Sequence, residues 1–191
     1  MERSTDLFRG SLVRLAAQAA EDAPAVARWS EDAEYLRQVD TDWARPATAT
    51  AVSVGWGAPG DGGSVAFHLR TLADDRLIGF AALHSIEWNN GTAMFSIGIG
   101  EREYRGRGYG ADALRLMLRY AFDELNLYRV GLHVIGDNAR AIRAYERAGF
   151  RHEGTIRGQV HRDGRRVDGL LMGILGDEWR QAQGGGGSDG D

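Results

Sequence analysis

The sequence contains no cysteine and no lysine, so apart from histidine every basic side chain is an arginine. Without cysteine there is no disulfide, no thiolate metal site and no cysteine nucleophile. No stretch approaches the roughly 18 consecutive apolar residues that a transmembrane helix needs. Residues 1–10 also lack the apolar segment of a secretory signal. We therefore expect a cytoplasmic protein that makes no membrane contact.

Excess positive charge is also missing, because the formal net charge is -4. A general nucleic-acid binder normally shows a basic excess, so no direct nucleic-acid binding is expected. With 43% hydrophobic residues, a chain of this length suits one domain with a substantial core. We predict a single domain over residues 1–183. The sequence GGGGSDGD at residues 184–191 cannot bury anything and predicts a flexible tail.

Hydrophobic periodicity predicts a mixed α+β fold. One or two short helices precede Val39, followed by loops at residues 40–50 and 55–63. An alternating pattern, with the turn Asn89-Asn90-Gly91, predicts an antiparallel meander. Asn138 is expected to cap a helix that stops at Gly149. The predicted strands are residues 11–15, 64–72, 77–88, 92–100, 128–135 and a hairpin at Asp163-Gly164, with helices over residues 111–125 and from Asn138 onward.

Residues 101–110, E-R-E-Y-R-G-R-G-Y-G, join the third meander strand to an amphipathic helix. The first amides of a helix have no intrahelical partner and lie at the positive end of its dipole, so they favour an anion. Glycines let phosphate oxygens approach these amides, and the arginines add charge-assisted donors. The turn therefore predicts a pyrophosphate site, with a sharp strand–helix corner as the purely structural alternative.

The identity of the pyrophosphate is open from this turn alone. Gly106, Gly108 and Ala111 satisfy the G-x-G-x-x-A form of the dinucleotide fingerprint, and Asp137 lies farther along the chain. That fingerprint belongs at the start of a parallel βαβ unit, however, and here it follows a meander. A dinucleotide-binding oxidoreductase domain is therefore the weaker interpretation.

Two motifs together resemble the GCN5-related N-acetyltransferase (GNAT) superfamily. R-G-R-G-Y-G opens one helix, and N-A-R-A-I-R-A-Y-E-R-A-G-F forms the next, with a strand between them. The sequence is most similar to the branch of ribosomal-protein alanine and spermidine N-acetyltransferases, over about residues 77–175. The resemblance implies a central, mostly antiparallel sheet splayed at the cofactor site, with helices on both faces. It also implies transfer of an acetyl group from acetyl-CoA to a primary amine by direct attack.

The resemblance assigns roles to residues of this sequence. Tyr145 would act as general acid toward the departing CoA thiolate. Glu87 is the candidate general base, with Ser96, His84 and His133 near the same region. No metal is implied. The expected cofactor-binding residues are Ile97, Gly98 and Ile99 beside pantetheine, Arg105, Gly106, Arg107, Gly108, Tyr109 and Gly110 at the pyrophosphate, and Asn138 and Arg143 on the second helix.

The acceptor is less well defined than the donor. Acidic residues before the meander could line an amine site or could simply face solvent, and Trp43, Trp56 and Trp88 could line a cleft or pack. A non-catalytic acyl-CoA-binding regulatory module and a transferase for a larger acyl group, such as succinyl, remain alternatives. A homodimer is expected from the resemblance, with Leu170–Leu175 as an apolar edge. The acidic residues are Glu21, Asp22, Glu31, Asp32, Glu34, Asp40 and Asp42.

Overall fold

The computed structural model describes residues 6–52 and 62–184. Residues 185–191 of the predicted tail and most of the predicted loop at residues 55–63, including Trp56, lie outside the described residues. Seven strands and six α-helices form the described part. The strands are β1 (Val13–Ala16), β2 (Val65–Thr71), β3 (Leu77–Glu87), β4 (Thr92–Ile99), β5 (Arg129–Ile135), β6 (Arg151–Arg162) and β7 (Arg165–Leu175). The helices are α1 (Ala23–Trp29), α2 (Ala33–Val39), α3 (Ala49–Val52), α4 (Tyr109–Arg119), α5 (Ala139–Arg147) and α6 (Gly176–Gly184).

All seven strands belong to one sheet, in the order β1-β2-β3-β4-β5-β7-β6. Every neighbouring pair is antiparallel except β4 and β5, which are parallel. This arrangement confirms the mixed, mostly antiparallel sheet expected from the sequence. The predicted meander corresponds to β2, β3 and β4, which pair in sequence order. Their short connections allow only antiparallel neighbours.

The sheet is splayed between β4 and β5. The two strands pair only from Thr92 to Met94 on β4 and from Arg129 to Gly131 on β5. Beyond these residues β4 continues to Ile99 and β5 to Ile135 without a ladder between them. An unpaired strand edge inside a sheet leaves backbone donors and acceptors available to a ligand.

Helix α4 connects the two parallel strands and forms part of the main core. Its buried residues Leu114, Met117 and Leu118 pack with residues of the sheet. The helix continues into a π-helical turn, Tyr120–Glu124. Strand β4, α4 and β5 thus form a parallel βαβ unit. Our expectation that the glycine turn lies outside such a unit was wrong, because a meander strand also serves as the first strand of the crossover.

The C-terminal hairpin corrects a second expectation. Strand β7 pairs with β5 on one side and β6 on the other, so Leu170–Leu175 lies inside the sheet and β6 forms its edge. The apolar sequence of β7 follows from this interior position, since Met172 and Ile174 are buried. The homodimer therefore stays a prediction from the resemblance alone. Helix α6, which we did not predict, follows directly and buries Trp179 against Phe122.

Helices cover both faces of the sheet, as predicted. On one face α1 and α2 lie against β4, where Trp29 and Tyr35 contact the backbone at Gly100 and Gly98. On the opposite face α4 packs on the sheet, and Gly110 lies against Ile99. Successive residues of a strand face opposite sides, so β4 presents Gly98 and Ile99 to different helices. Within residues 6–52 and 62–184, no helix has the length and apolar character required to cross a bilayer.

Candidate active site

A cavity of about 670 Å³ opens where β4 and β5 separate. Its walls are the open ends of β4 and β5, the N-terminus of α4, one side of α5 and one side of α2. The splay therefore creates a cleft with polar backbone on one wall and side chains on the others. Nine of the thirteen expected site residues line it: Ile97, Gly98, Ile99, Arg105, Gly106, Gly108, Gly110, Asn138 and Tyr145.

The glycine turn ends in a helix N-terminus that is not capped by a side chain. Gly106 and Gly108 have φ values of 75° and 92°, a region that is strained for residues with a Cβ. The amide of Asp112 makes the first helical bond, to the Gly108 carbonyl at 2.9 Å. The amides of Tyr109, Gly110 and Ala111 therefore have no acceptor one turn earlier in the helix. Unpaired amides at a positive dipole end form an anion site.

We expected the Arg105 side chain to bind the pyrophosphate, but its guanidinium is bound to other groups of the protein. Its Nε donates to the Ile99 carbonyl at 2.8 Å, and its Nη2 donates to the Gly100 carbonyl at 2.5 Å. Its Nη1 binds the Asp32 carboxylate at 2.8 Å, and the side chain is only 12% exposed. The guanidinium is thus committed to joining the end of β4 to α2. Its own amide donates to the Arg102 carbonyl, so the turn's available amides start after Arg105.

Replacing Arg105 by alanine is expected to lower the free energy of unfolding by about 2–3 kcal/mol. The substitution leaves two partly buried carbonyl groups and a carboxylate without their hydrogen-bond donor. Arg107→Ala is the matched control, because that side chain is exposed and makes one long bond to the Glu103 carbonyl at 3.3 Å. We expect the control to stay within about 0.5 kcal/mol of wild type in urea denaturation. An Arg105→Ala variant of wild-type stability that loses acetyl-CoA affinity would instead identify Arg105 as a direct phosphate ligand.

Helix α5 places Asn138 and Tyr145 on the cavity. The Asn138 side chain accepts a hydrogen bond from the Ala141 amide at 3.1 Å, which confirms the predicted cap. The Tyr145 ring packs edge-on against Phe95, with ring centroids 6.5 Å apart, and also contacts Phe150 at 5.8 Å. Burial raises the pKa of Tyr145 to about 12. The phenol is therefore protonated at neutral pH and can act as a proton donor.

Three expected cofactor residues, Arg107, Tyr109 and Arg143, do not line the cavity. Arg143 is exposed on α5, whereas Arg140 and Arg147 of the same helix line the cavity. Residues three and four apart share a helix face. The spacing of Arg140, Ala144 and Arg147 therefore predicts that these three residues lie on one side of α5. These two arginines are the cations that our sequence reasoning missed.

Glu87, the candidate base, is not brought to the cavity. It lies at the end of β3 opposite Thr92, and its carboxylate accepts a hydrogen bond from Asn90 at 2.6 Å in the hairpin turn. His84, Ser96 and His133 line the cavity instead. His84 Nε2 lies 2.9 Å from Ser96 Oγ, and burial lowers the pKa of His84 below its ordinary value.

Helix α2 forms a wall of the cavity, and most of its lining residues were not predicted from the sequence. A Cβ on Gly98 would lie 2.5 Å from the Tyr35 hydroxyl, and one on Gly100 would lie 2.0 Å from the Trp29 ring. We expected Gly98 to lie beside pantetheine, whereas here the missing Cβ atoms of both glycines make room for side chains of α1 and α2. Arg105 stacks on Tyr35 at 4.9 Å from the ring centroid. Tyr35 carries its hydroxyl into the cavity wall, although no local sequence signal singles it out.

The acidic residues of the N-terminal region divide between structural and cavity positions. Asp22 is buried and binds His68 and Arg70, while Asp32 caps α2 and pairs with Arg105. Glu34 and Asp40 line the cavity. Trp43 and Trp88 are exposed and do not line it. In the part of the chain that the structure describes, no three His, Asp or Glu side chains are grouped to hold a metal ion.

Residues 13–151 match the family model described as Acetyltransferase (GNAT) domain. The chain is 35% identical to the probable N-acetyltransferase YjcK of Bacillus subtilis over 57% of this chain and 60% of that protein. It is also 35% identical to a spermidine N(1)-acetyltransferase of Vibrio cholerae over 54% of this chain and 59% of that protein. The match thus spans about 60% of the length of these relatives.

Solved structures of spermidine N-acetyltransferases have the same fold. A chimera of the Vibrio cholerae enzyme with hSSAT superposes with a TM-score of 0.78 and 26% identity, over 89% of this chain and 99% of that chain. The Vibrio cholerae enzyme in complex with CoA and spermine superposes with a TM-score of 0.77 and 24% identity, over 88% of this chain and 98% of that chain.

Proposed function

The chain belongs to the Acetyltransferase (GNAT) family, and on that premise we propose that it transfers the acetyl group of acetyl-CoA to a primary amine. The observation that carries this proposal is the cavity at the splay. It joins an uncapped helix N-terminus, an unpaired strand edge and a protonated phenol in one cleft. Each of these three features would meet a different part of acetyl-CoA.

The CoA pyrophosphate would bind at the start of α4. The amides of Gly106, Gly108 and Gly110 would surround it, with Tyr109 and Arg107 contributing their backbone amides rather than their side chains. Arg140 and Arg147 face the same cavity and supply positive charge. This placement predicts binding that weakens as salt concentration rises, since exposed charge pairs are screened.

The pantetheine arm would lie along the open edge of β4. Ile97, Gly98 and Ile99 carry the backbone groups there, beyond the last residue paired with β5. A ligand with amide groups can form hydrogen bonds with β4 beyond the point where its pairing with β5 ends, as peptides do when they add to a sheet edge. Asn138 would lie toward the same arm from α5. This placement sets the thioester near Tyr145.

The chemistry follows from these positions. The nitrogen lone pair of the acceptor attacks the thioester carbonyl carbon, a C–N bond forms, and the C–S bond breaks as the intermediate collapses. The carbonyl oxygen would be stabilised by a backbone amide of the open β4 edge. Tyr145 donates its proton to the departing CoA thiolate and is reprotonated from the acceptor nitrogen. The acceptor must lose a proton before it attacks.

The acceptor class is a primary amine on a polyamine, on a peptide or protein N-terminus, or on another amino-bearing small molecule. The names of the relatives support this class, since they include spermidine N(1)-acetyltransferases and a putative ribosomal N-acetyltransferase of Bacillus subtilis. Glu34 and Asp40 are the carboxylates that line the cavity and could attract a cationic acceptor. A homodimer, expected from the resemblance, completes the proposal.

Calorimetric titration with acetyl-CoA at low and moderate salt tests the donor, with NADH as the control. We expect saturable acetyl-CoA binding that weakens with salt and no comparable binding of NADH. CoA release with spermidine, an alanine N-terminal peptide and a panel of other amines then tests transfer. Binding without turnover on any amine would indicate the regulatory module. Turnover only with succinyl-CoA would indicate a larger acyl donor, and the absence of both binding and turnover would refute the proposal.

A further inference from the structure

The C-terminal part of β3 is irregular in a way that positions one histidine. The register between β3 and β4 shifts between His84 and Glu87, and Ser85 has a positive φ of 50°. A bulge of this kind bends a strand and redirects its side chains. The His84 ring lies between two hydroxyls, with Nε2 2.9 Å from Ser96 Oγ and Nδ1 3.3 Å from Ser85 Oγ.

The partner Ser96 stands at the point where the sheet opens. Met94 is the last β4 residue paired with β5, and its partner is Gly131. Side chains repeat every two residues along a strand, so Ser96 and His133 are the next residues on the same face of the two strands. The ladder ends before they meet, so they flank the gap. Both line the cavity, together with His84.

We propose that Ser96 and His84 form the proton relay that deprotonates the acceptor amine. This inference rests on the proposed function and assigns the base that Glu87 does not reach. Ser96 Oγ takes a proton from the acceptor ammonium while its own proton passes to His84 Nε2. The relay lies on the face opposite Phe95 and Tyr145, so the base and the acid act from the two sides of the splayed sheet.

The protons balance over the reaction. An ammonium acceptor has three N–H protons and the product amide keeps one. The first departing proton goes through Ser96 to His84 and then to solvent. The second leaves the nitrogen after attack and replaces the proton that Tyr145 gives to the CoA thiolate. The products are the N-acetyl amine, CoA thiol and one released proton, so no further reactant is required.

The surroundings of His84 suit a proton acceptor. Burial lowers the pKa of His84, so its imidazole is neutral at neutral pH and loses that state only when the pH falls through the lowered value. The other titratable groups on the cavity are His133 from β5, Tyr35 and Glu34 from α2, Asp40 after α2, Tyr145 from α5 and four arginines, Arg102, Arg105, Arg140 and Arg147. Burial is the cause of the lowered pKa of His84.

The test compares His84→Gln and Ser96→Ala with wild type, using acetyl-CoA and the best amine of the panel. We expect His84→Gln to lower kcat about 100-fold or more at pH 7, in line with the loss of a general base. Ser96→Ala should show a smaller loss. The acetyl-CoA Kd should not change in either variant. His161→Gln, an exposed histidine of β6, is the matched control and should retain wild-type kcat.

The pH dependence separates a proton relay from a packing role. Wild-type kcat should fall as pH drops below about 6.5, the ordinary pKa of histidine, and this acid limb should disappear in His84→Gln. The His84 ring signal, identified by its absence in the variant's NMR spectrum, should also titrate below 6.5. That reading needs no turnover and no amine.

The outcomes are distinct. A His84→Gln variant with wild-type kcat and an unchanged acid limb would overturn the relay and leave the proposed function intact. If Glu87→Gln removes the acid limb and His84→Gln does not, the relay is likewise overturned and the proposed function stays intact. A His84 ring that titrates above 6.5 would also refute the inference, since the imidazole would then not be the neutral proton acceptor that the relay requires. A wild-type protein inactive on every amine would instead refute the function, and the relay with it.

Discussion

Tyr145→Phe is expected to lower kcat about 100-fold or more while the acetyl-CoA Kd stays within about twofold, because general acids typically contribute that much to the rate. The substitution removes one hydroxyl and keeps the ring that packs against Phe95 and Phe150. Without the phenol, the CoA thiolate must depart unprotonated or find a proton from water. Steady-state kinetics together with calorimetry separate the loss of chemistry from a loss of binding.

The raised pKa of Tyr145 gives this prediction a pH signature. The protonated phenol is the donor, and burial raises its pKa to about 12. The donor is therefore fully present at every lower pH and would be lost only as the pH rises toward that value. We expect no alkaline fall in wild-type kcat up to about pH 10, the ordinary pKa of tyrosine.

Tyr128→Phe provides the matched control, since Tyr128 is an exposed tyrosine just before β5. It should have wild-type kcat. If Tyr145→Phe also retained wild-type kcat, Tyr145 would be a packing residue on α5, and the thiolate would take its proton from another source. Equal losses in both variants would point to a general effect on folding rather than on the chemistry.

The second large effect concerns stability. Asp112→Ala is expected to lower the free energy of unfolding by about 3 kcal/mol, because it leaves several donors without their acceptor at about 1–3 kcal/mol each. Asp112 is 2% exposed, and its carboxylate accepts hydrogen bonds from three consecutive amides, those of Ser11, Leu12 and Val13. Arg115 is its fourth donor. This one side chain therefore fixes the start of β1 to α4.

Thermal denaturation measures this effect. For a chain of this size about 1 kcal/mol corresponds to roughly 2–4 °C, so the expected fall in Tm is roughly 6–12 °C. Asp123→Ala, an exposed acid in the turn that continues α4, should shift Tm by less than about 2 °C. A Tm for Asp112→Ala equal to that of the control would mean that water satisfies the three amides and that β1 is held by its pairing with β2.

Local features of the site were predictable from the sequence. The two turn glycines were expected because a strand that turns sharply into a helix needs backbone that a Cβ strains, and both have positive φ. Asn138 was expected to cap α5 because its side chain is the right length to accept from the third amide of the helix. Each of these features depends on a few neighbouring residues, which the sequence shows directly.

Features set by distant pairing were not predictable. The role of Arg105 depends on Asp32, which lies 73 residues earlier. Glu87 seemed well placed because it lies on a central strand, but the direction of the hairpin puts its carboxylate beside Asn90. The interior position of β7 depends on its pairing with β5, which hydrophobicity alone does not distinguish from an apolar edge.

The most direct test of the central claim follows a carbonyl carbon. Acetyl-CoA labelled with ¹³C at the thioester carbonyl is mixed with the protein and the best amine of the panel, and NMR monitors the label. The account predicts that the thioester signal is replaced by an amide signal on the acceptor, with CoA thiol released in equal amount. It also predicts that Tyr145→Phe slows this transfer of the label. A label that stays in the thioester, or that appears only in free acetate, would contradict amine acetylation by this protein.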